Sequence, residues 1–191
     1  MKAFIFNVQF IERMFKNMNL FSGASLKTLY TLALDPMRSF YQREVAKEAL
    51  VSVGSANRVL PIFVKQGLVT RETKGKVFLY RYNLGDPVAR QLKTLFNVLE
   101  MKELVDDLRP IAMRVILFGS SSRGRDVKES DVDLFILTNQ KDEALKKVRQ
   151  HEAKRRLAPI IVDVDEYTNL RNKDRPLYDE INRGISLWER S

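Results

Sequence analysis

The chain has 191 residues, 45% of them hydrophobic, and a net charge of +9. That is enough apolar material for one large core or two small ones, and it excludes a disordered tail protein. With no cysteine and a single histidine, His151, the chain cannot build a disulfide scaffold, a thiolate metal site, a cysteine nucleophile or a multi-histidine zinc site. No apolar run approaches the roughly 20 residues of a membrane span, so the expectation is a cytoplasmic protein without membrane contact. The positive charge is concentrated: residues 1–85 carry a net +8, residues 86–109 a net −1 and residues 110–191 a net +2. A basic first half is the electrostatic footprint of a polyanion binder.

Residues 1–22 form an apolar extension containing Phe4, Ile5, Phe6, Val8, Phe10, Ile11, Met14 and Phe15. Asn7, Gln9, Glu12 and Arg13 interrupt it, so it reads as a packing or dimerisation element, consistent with a homodimer, rather than a secretory signal. Ser25–Leu34 has helical apolar spacing and stops at Asp35-Pro36. Phe40–Leu50 is a second expected helix, with Val45, Ala46 and Leu50 inward. Ser52 is the expected N-cap of a third helix running from about Val53 to Gln66, with Gly67 as its C′ residue. Leu68–Arg71 and Val77–Tyr82 flank Lys74-Gly75 and predict a β-hairpin. Residues 23–85 therefore form one expected domain.

The order helix, helix, turn, helix, hairpin, with Phe40–Ala46, Asn57–Leu60 and Gln66–Val69 inside it, resembles a winged helix-turn-helix of the small microbial transcriptional regulators. The resemblance implies DNA binding. Ser55, Asn57 and Arg58, at the start of the third helix, would meet base edges, together with Val53 and Gly54. Lys74 and Lys76 at the wing tip would meet phosphates, and so would Arg43, Lys65 and Arg71. Pro61 departs from the pattern and is expected to bend the third helix after two turns. Residues 86–109 follow as an expected connector or dimer helix over Val88–Leu108, with Val88, Leu92, Leu95, Phe96, Leu99, Leu104 and Leu108 on one side.

Chemistry concentrates in residues 110–191. Val115–Phe118 reads as a buried strand, and Gly119-Ser120-Ser121-Ser122-Arg123-Gly124 follows as a turn. Ser130-Asp131-Val132-Asp133 then leads into a second buried strand, Leu134–Leu137. Alternation places Asp131 and Asp133 on one face. Two carboxylates so placed call for a cation, and hard divalent ions take such oxygen ligands together with phosphate oxygens. Backbone donors of the Gly119-Ser120 turn can approach a phosphate chain. The segment lacks a Walker Gly-Lys-Ser/Thr and a Gly-x-Gly-x-x-Gly fingerprint.

Gly119-Ser120, Arg123-Gly124 and Ser130-Asp131-Val132-Asp133-Leu134 resemble the signature of the nucleotidyltransferase superfamily related to DNA polymerase β, in its minimal form. The resemblance implies a mixed sheet flanked by helices. Asp131 and Asp133 would be catalytic and would hold Mg²⁺ (or Mn²⁺). Gly119, Ser120, Arg123 and Ser130 would bind an NTP, with ATP the first choice. The reaction implied is transfer of an NMP to a hydroxyl, with a protein as the leading acceptor. Some minimal members are antitoxins paired with HEPN-domain partners, so a toxin partner is a further expectation.

The family's third carboxylate lies on a later strand. Here that strand is Ala158–Val164, and Asp163 is the candidate, sharing a face with Asp165. If Asp165-Glu166 starts a helix instead, the position falls near Ile160, which ligates nothing. His151, on a basic helix over Lys141–Arg156, receives no role, and Pro176–Trp188 reads as a closing helix and strand. The whole is an expected two-domain α+β protein. It would be an enzyme, or alternatively a non-catalytic, nucleotide-sensing regulator.

Overall fold

The computed structural model describes residues 22–190. All but Ser22 of the apolar extension expected over residues 1–22 lies outside the described residues. The chain separates into two compact units, one ending at Ala89 and one beginning at Arg90. No helix among the described residues is long and apolar enough to cross a membrane.

The first unit runs α1 (Gly23–Leu34), β1 (Phe40–Tyr41), α2 (Gln42–Glu48), α3 (Val53–Lys65), β2 (Val69–Lys74) and β3 (Val77–Tyr82). Its sheet has the order β1-β3-β2, all antiparallel, and the hairpin pairs Val69 with Tyr82 through to Lys74 with Val77. Phe40 and Tyr41 pair with Tyr80 and Leu79 instead of starting a helix, so α2 begins two residues later than the sequence pattern suggests. There the Glu44 carboxylate accepts the Tyr41 amide at 2.8 Å. Ser52 caps α3 as expected, its hydroxyl accepting the Ser55 amide at 3.0 Å.

Pro61 sits exposed inside α3, which continues to Lys65, so it does not end the helix. Leu32, Phe40, Val45, Leu60 and Phe63 are each at most 1% exposed and close the core between α1, α2, α3 and the sheet. Burying side chains of this size contributes about 1.5–3 kcal/mol each. Leu50 is 83% exposed rather than inward, and its left-handed φ of 52° ends the helical path after α2.

The expected single helix over Val88–Leu108 is two: α4 (Pro87–Glu100) and α5 (Lys102–Leu108), broken at Met101, which is buried. The expected apolar face is also corrected. Val88, Leu95 and Leu99 are 44%, 43% and 55% exposed, whereas Lys93, Thr94 and Asn97 are buried. A charged lysine faces inward because a buried carboxylate awaits it, as described below.

The second unit continues with β4 (Arg114–Leu117), α6 (Gly119–Ser122), β5 (Val132–Leu137), α7 (Lys141–Gln150), β6 (Leu157–Val162), α8 (Val164–Lys173), α9 (Arg175–Asn182) and β7 (Ile185–Glu189). The sheet order is β6-β5-β4-β7; β5 and β6 are parallel and the other pairs antiparallel. Alternation divides its side chains. Val115, Leu117, Val132, Leu134 and Ile136 pack with α5 and α7. Ile116, Phe118 and Phe135 pack with Tyr167, Leu170, Leu177 and Ile181 from α8 and α9. Asp133 alternates with Val132 and Leu134, so it stands on the α8/α9 face at the start of β5.

This topology brings four chain ends to one end of the sheet. They are the C-terminal end of β4 and the starts of β5, β6 and β7. The site is built there.

Candidate active site

The Gly119 turn is sewn directly onto the acid-bearing strand. After Leu117 the chain turns at Gly119, with φ of +66°. A Cβ at Gly119 would fall 2.0 Å from Oδ2 of Asp133. A side chain there would be strained by the backbone angle and would have to displace the Asp133 carboxylate. The Phe118 amide donates to the Asp133 carbonyl at 3.1 Å. The Ser122 hydroxyl donates to the Gly119 carbonyl at 2.9 Å, and the amides of Arg123 and Arg125 both donate to the Ser120 carbonyl at 3.1 Å. The turn is thus closed on itself and presses its glycine against a carboxylate.

Beneath it lies a buried ionic network. Asp126 is fully buried and accepts from Lys93 Nζ at 2.9 Å, from Asn97 Nδ2 at 2.8 Å and from Arg155 Nη1. Arg155 Nη2 donates to Asn97 Oδ1 at 3.0 Å and reaches Glu100 at 3.4 Å, while Nη1 also reaches the Ser121 hydroxyl at 3.4 Å. Asn97 donates to the Ser121 carbonyl at 2.8 Å. Burial pushes the Lys93 pKa down and Asp126 opposes that shift. The network ties α4, the turn and the segment before β6 into one frame.

Asp131 stands one residue before β5 and Asp133 two residues on. Arg156, itself 79% exposed, grips Asp131 bidentately, Nε on Oδ1 at 2.9 Å and Nη2 on Oδ2. That contact holds the Asp131 carboxyl below its usual range. Asp133 behaves oppositely. Burial raises its pKa first, then the charges of Glu180 and Asp131, with Arg123 pulling the other way. Arg123 pairs with Glu180 of α9 at 3.3 Å. Two of the site's carboxylates are therefore neutralised by arginines, and Asp133 is left with unfavourable surroundings for its charge.

Not every expected site residue joins them. Gly119, Ser120, Arg123, Asp131 and Asp133 converge. Ser130 accepts the Val127 amide at 3.0 Å through its hydroxyl, closing the turn that precedes the acids. Asp163 is corrected. The strand ends at Val162, and Asp163 caps α8, accepting the Glu166 amide at 2.9 Å and pairing with Lys141 at 3.0 Å. Because β5 and β6 are parallel, with Asp133 beside Ala158 and Leu137 beside Val162, Asp163 lies at the far end of the sheet. The residue in register with Asp133, on the same face, is Ala158.

Sequence reasoning missed Glu180, Arg156 and the buried network. Arg123-Gly-Arg-Asp126 beside the motif was a local signal for Asp126; Glu180 reaches the acids only through the fold.

In the first unit, Asn57 and Arg58 are exposed on the N-terminal half of α3, and Lys74 and Lys76 are exposed at the hairpin tip. Ser55 is half-buried, with its hydroxyl 2.9 Å from that of Ser52. Arg71 lies over the exposed Phe78 ring at 4.6 Å.

Residues 98–185 match the family model of the nucleotidyltransferase domain. That span holds the turn, both acids, Arg156 and Glu180. No curated protein matches the chain. Among solved structures, a candidate nucleotidyltransferase from Sulfolobus solfataricus is 20% identical, covers 56% of this chain and 93% of its own, and has a TM-score of 0.39. Human N-acetylserotonin methyltransferase is 20% identical over 57% of this chain and 35% of its own, with a TM-score of 0.33. The archaeal chromatin protein TrmBL2 is 15% identical over 91% of this chain and 76% of its own, with a TM-score of 0.31. These are weak likenesses, and the family model is matched over 88 of the 191 residues.

The raised Asp133 pKa has a consequence for stability. A carboxyl that binds its proton more tightly when folded favours the native state at low pH, and that contribution is lost as pH rises through the unfolded and then the folded pKa. At neutral pH the ionised group is a net cost to the ligand-free protein. Asp133→Asn is therefore expected to raise the Tm at pH 7. The gain should vanish below about pH 4, near the ordinary Asp value. Thermal melts across pH check this, and a lower Tm at pH 7 would contradict it.

Proposed function

We propose that the nucleotidyltransferase domain binds a magnesium–NTP and transfers its NMP to a hydroxyl acceptor. The observation that carries this is the close approach of Gly119 to Asp133, which sets the turn against a carboxylate whose charge is disfavoured by burial, Glu180 and Asp131. Among the described residues no three acidic, histidine or cysteine side chains group to hold a metal. Mg²⁺ characteristically takes one or two carboxylates plus substrate phosphates rather than an all-protein cage, which suits Asp131 and Asp133. When bound it would polarise the α-phosphoryl group. The Gly119-Ser120 turn would hold the β- and γ-phosphates, and Arg123 would exchange Glu180 for phosphate oxygens. The acceptor oxygen would bond to the α-phosphorus as the α–β bridge breaks and pyrophosphate leaves, the hydroxyl proton passing to water.

A second reading rests on Ala158. With no carboxylate beside Asp133 on β6, the domain would bind nucleotide and signal without turnover. The two are separated by incubating protein with ATP labelled at the α- or the γ-phosphate. Transfer of α-label alone by the wild type, abolished in Asp133→Asn, is expected of the enzyme. Transfer only after Ala158→Asp installs the missing acid would establish the second reading and defeat the first.

We further propose that the first unit is a winged helix that binds DNA, with cytoplasmic residence following from that role. Its exposed Asn57, Arg58, Lys74 and Lys76 and its charge support this. Arg58→Ala should weaken binding to a preferred site by about 1–3 kcal/mol while leaving non-specific binding almost unchanged. A mobility-shift titration against selected and random duplexes measures it; equal loss on both would refute base recognition. Nothing in the structure favours a toxin partner over another protein.

A further inference from the structure

We infer that a pocket sharing Arg156 with Asp131 anchors the acceptor, and that it takes a nucleoside monophosphate unit. The role as acceptor anchor rests on the proposed transfer reaction; the ligand class does not. The pocket measures about 440 Å³ and lies between α7 and the edge strand β6. Leu145, Val148, Leu157 and Pro159 supply apolar surface, and Arg149, His151 and Arg156 supply the polar part. None of the nine residues lining it is acidic. An apolar floor with cationic groups and no carboxylate suits a flat, weakly polar ring that carries an anion. The volume falls in the range of single small-ligand sites.

Its cations differ in availability. Arg155 is consumed by the buried network. Arg156 is shared, forming a wall of the pocket while holding Asp131. Arg149 is exposed at the end of α7, and its side chain makes no hydrogen bond or ion pair with any described residue. A phosphate in the pocket would meet Arg149 directly and would compete with Asp131 for Arg156. Filling the pocket would thus loosen the grip on Asp131.

Strand order assigns the pocket its side of the reaction. Across the sheet end the sequence is the β6 edge with Arg156, then the acids at the start of β5, then the Gly119-Ser120 turn at the end of β4. With strands about 4.8 Å apart, the turn and the β6 edge flank the acids about 10 Å from each other. In-line displacement places the attacking and leaving oxygens on opposite sides of the phosphorus. If pyrophosphate leaves toward the turn, the acceptor arrives from the β6 side. Leu157 and Pro159 face α7, on the opposite side of the sheet from Asp133, so the pocket would grip, across the start of β6, the group next to the reacting hydroxyl rather than the hydroxyl itself.

The test uses the full chain and a fluorescent N-methylanthraniloyl AMP, followed by anisotropy in EDTA. Saturable binding is expected. Arg149→Glu should weaken it about tenfold or more, as expected for reversing a guanidinium–phosphate contact. Arg149→Gln should weaken it less, and Ser120→Ala should leave it unchanged. Displacement by a hexaadenylate at lower concentration than by AMP would identify a polynucleotide end as the source, and displacement by AMP alone a free mononucleotide. Absent binding, or binding indifferent to Arg149→Glu, would overturn the ligand class. Equal weakening of magnesium–ATP binding by Arg149→Glu would place the pocket on the donor side and overturn the acceptor role. Labelled AMP that binds with this Arg149 dependence to a protein unable to bind magnesium–ATP would uphold the pocket and defeat the transfer reaction.

Discussion

A carboxylate with no access to water, Asp126, organises the second unit. A buried charge is tolerated only when partnered, and removing one member of such a group typically costs about 3–5 kcal/mol. Asp126 is met by Lys93 and Asn97 from α4 and by Arg155 from the segment before β6. Asn97 and Arg155 also reach Ser121 inside the Gly119 turn. One ionic cluster thereby fixes three pieces of chain far apart in sequence. It also explains the inversion of α4, whose polar side is buried while Leu95 and Leu99 face outward.

That frame sets the chemistry above it. Arg155 is anchored, so Arg156 next to it is delivered to Asp131. The turn is anchored through Ser121, so Gly119 is held against Asp133. The result is a site with unequal acids, one neutralised by an arginine and one strained by burial and by Glu180. The chain departs from its family resemblance on β6, where Ala158 stands in register with Asp133.

The elements legible in the sequence were those whose determinants are local. Ser52 caps α3, Gly67 with φ of +77° follows its last turn, and the hairpin closes around Lys74-Gly75, because caps and turns depend on neighbours. The turn and the acids lie within 15 residues of one another, flanked by apolar strands, so the site's centre was legible too. Asp163 was misplaced because β6 ends one residue before it, and the side chain then serves the helix instead of the sheet. The face of α4 was misjudged because apolar periodicity cannot register a buried carboxylate supplied 29 residues beyond Asn97. Glu180 sat in a segment that reads as core, and only the packing of α9 on the Asp133 face brings it in.

On the proposed function, the Gly119 turn and the acid pair together form a magnesium–triphosphate site. Titration calorimetry of the full chain with ATP, with and without Mg²⁺, tests it most directly against an Asp131→Asn/Asp133→Asn double variant. Binding that requires Mg²⁺ and disappears in the double variant is the expected result. Equal binding by the variant, or none by the wild type with any NTP, would contradict it.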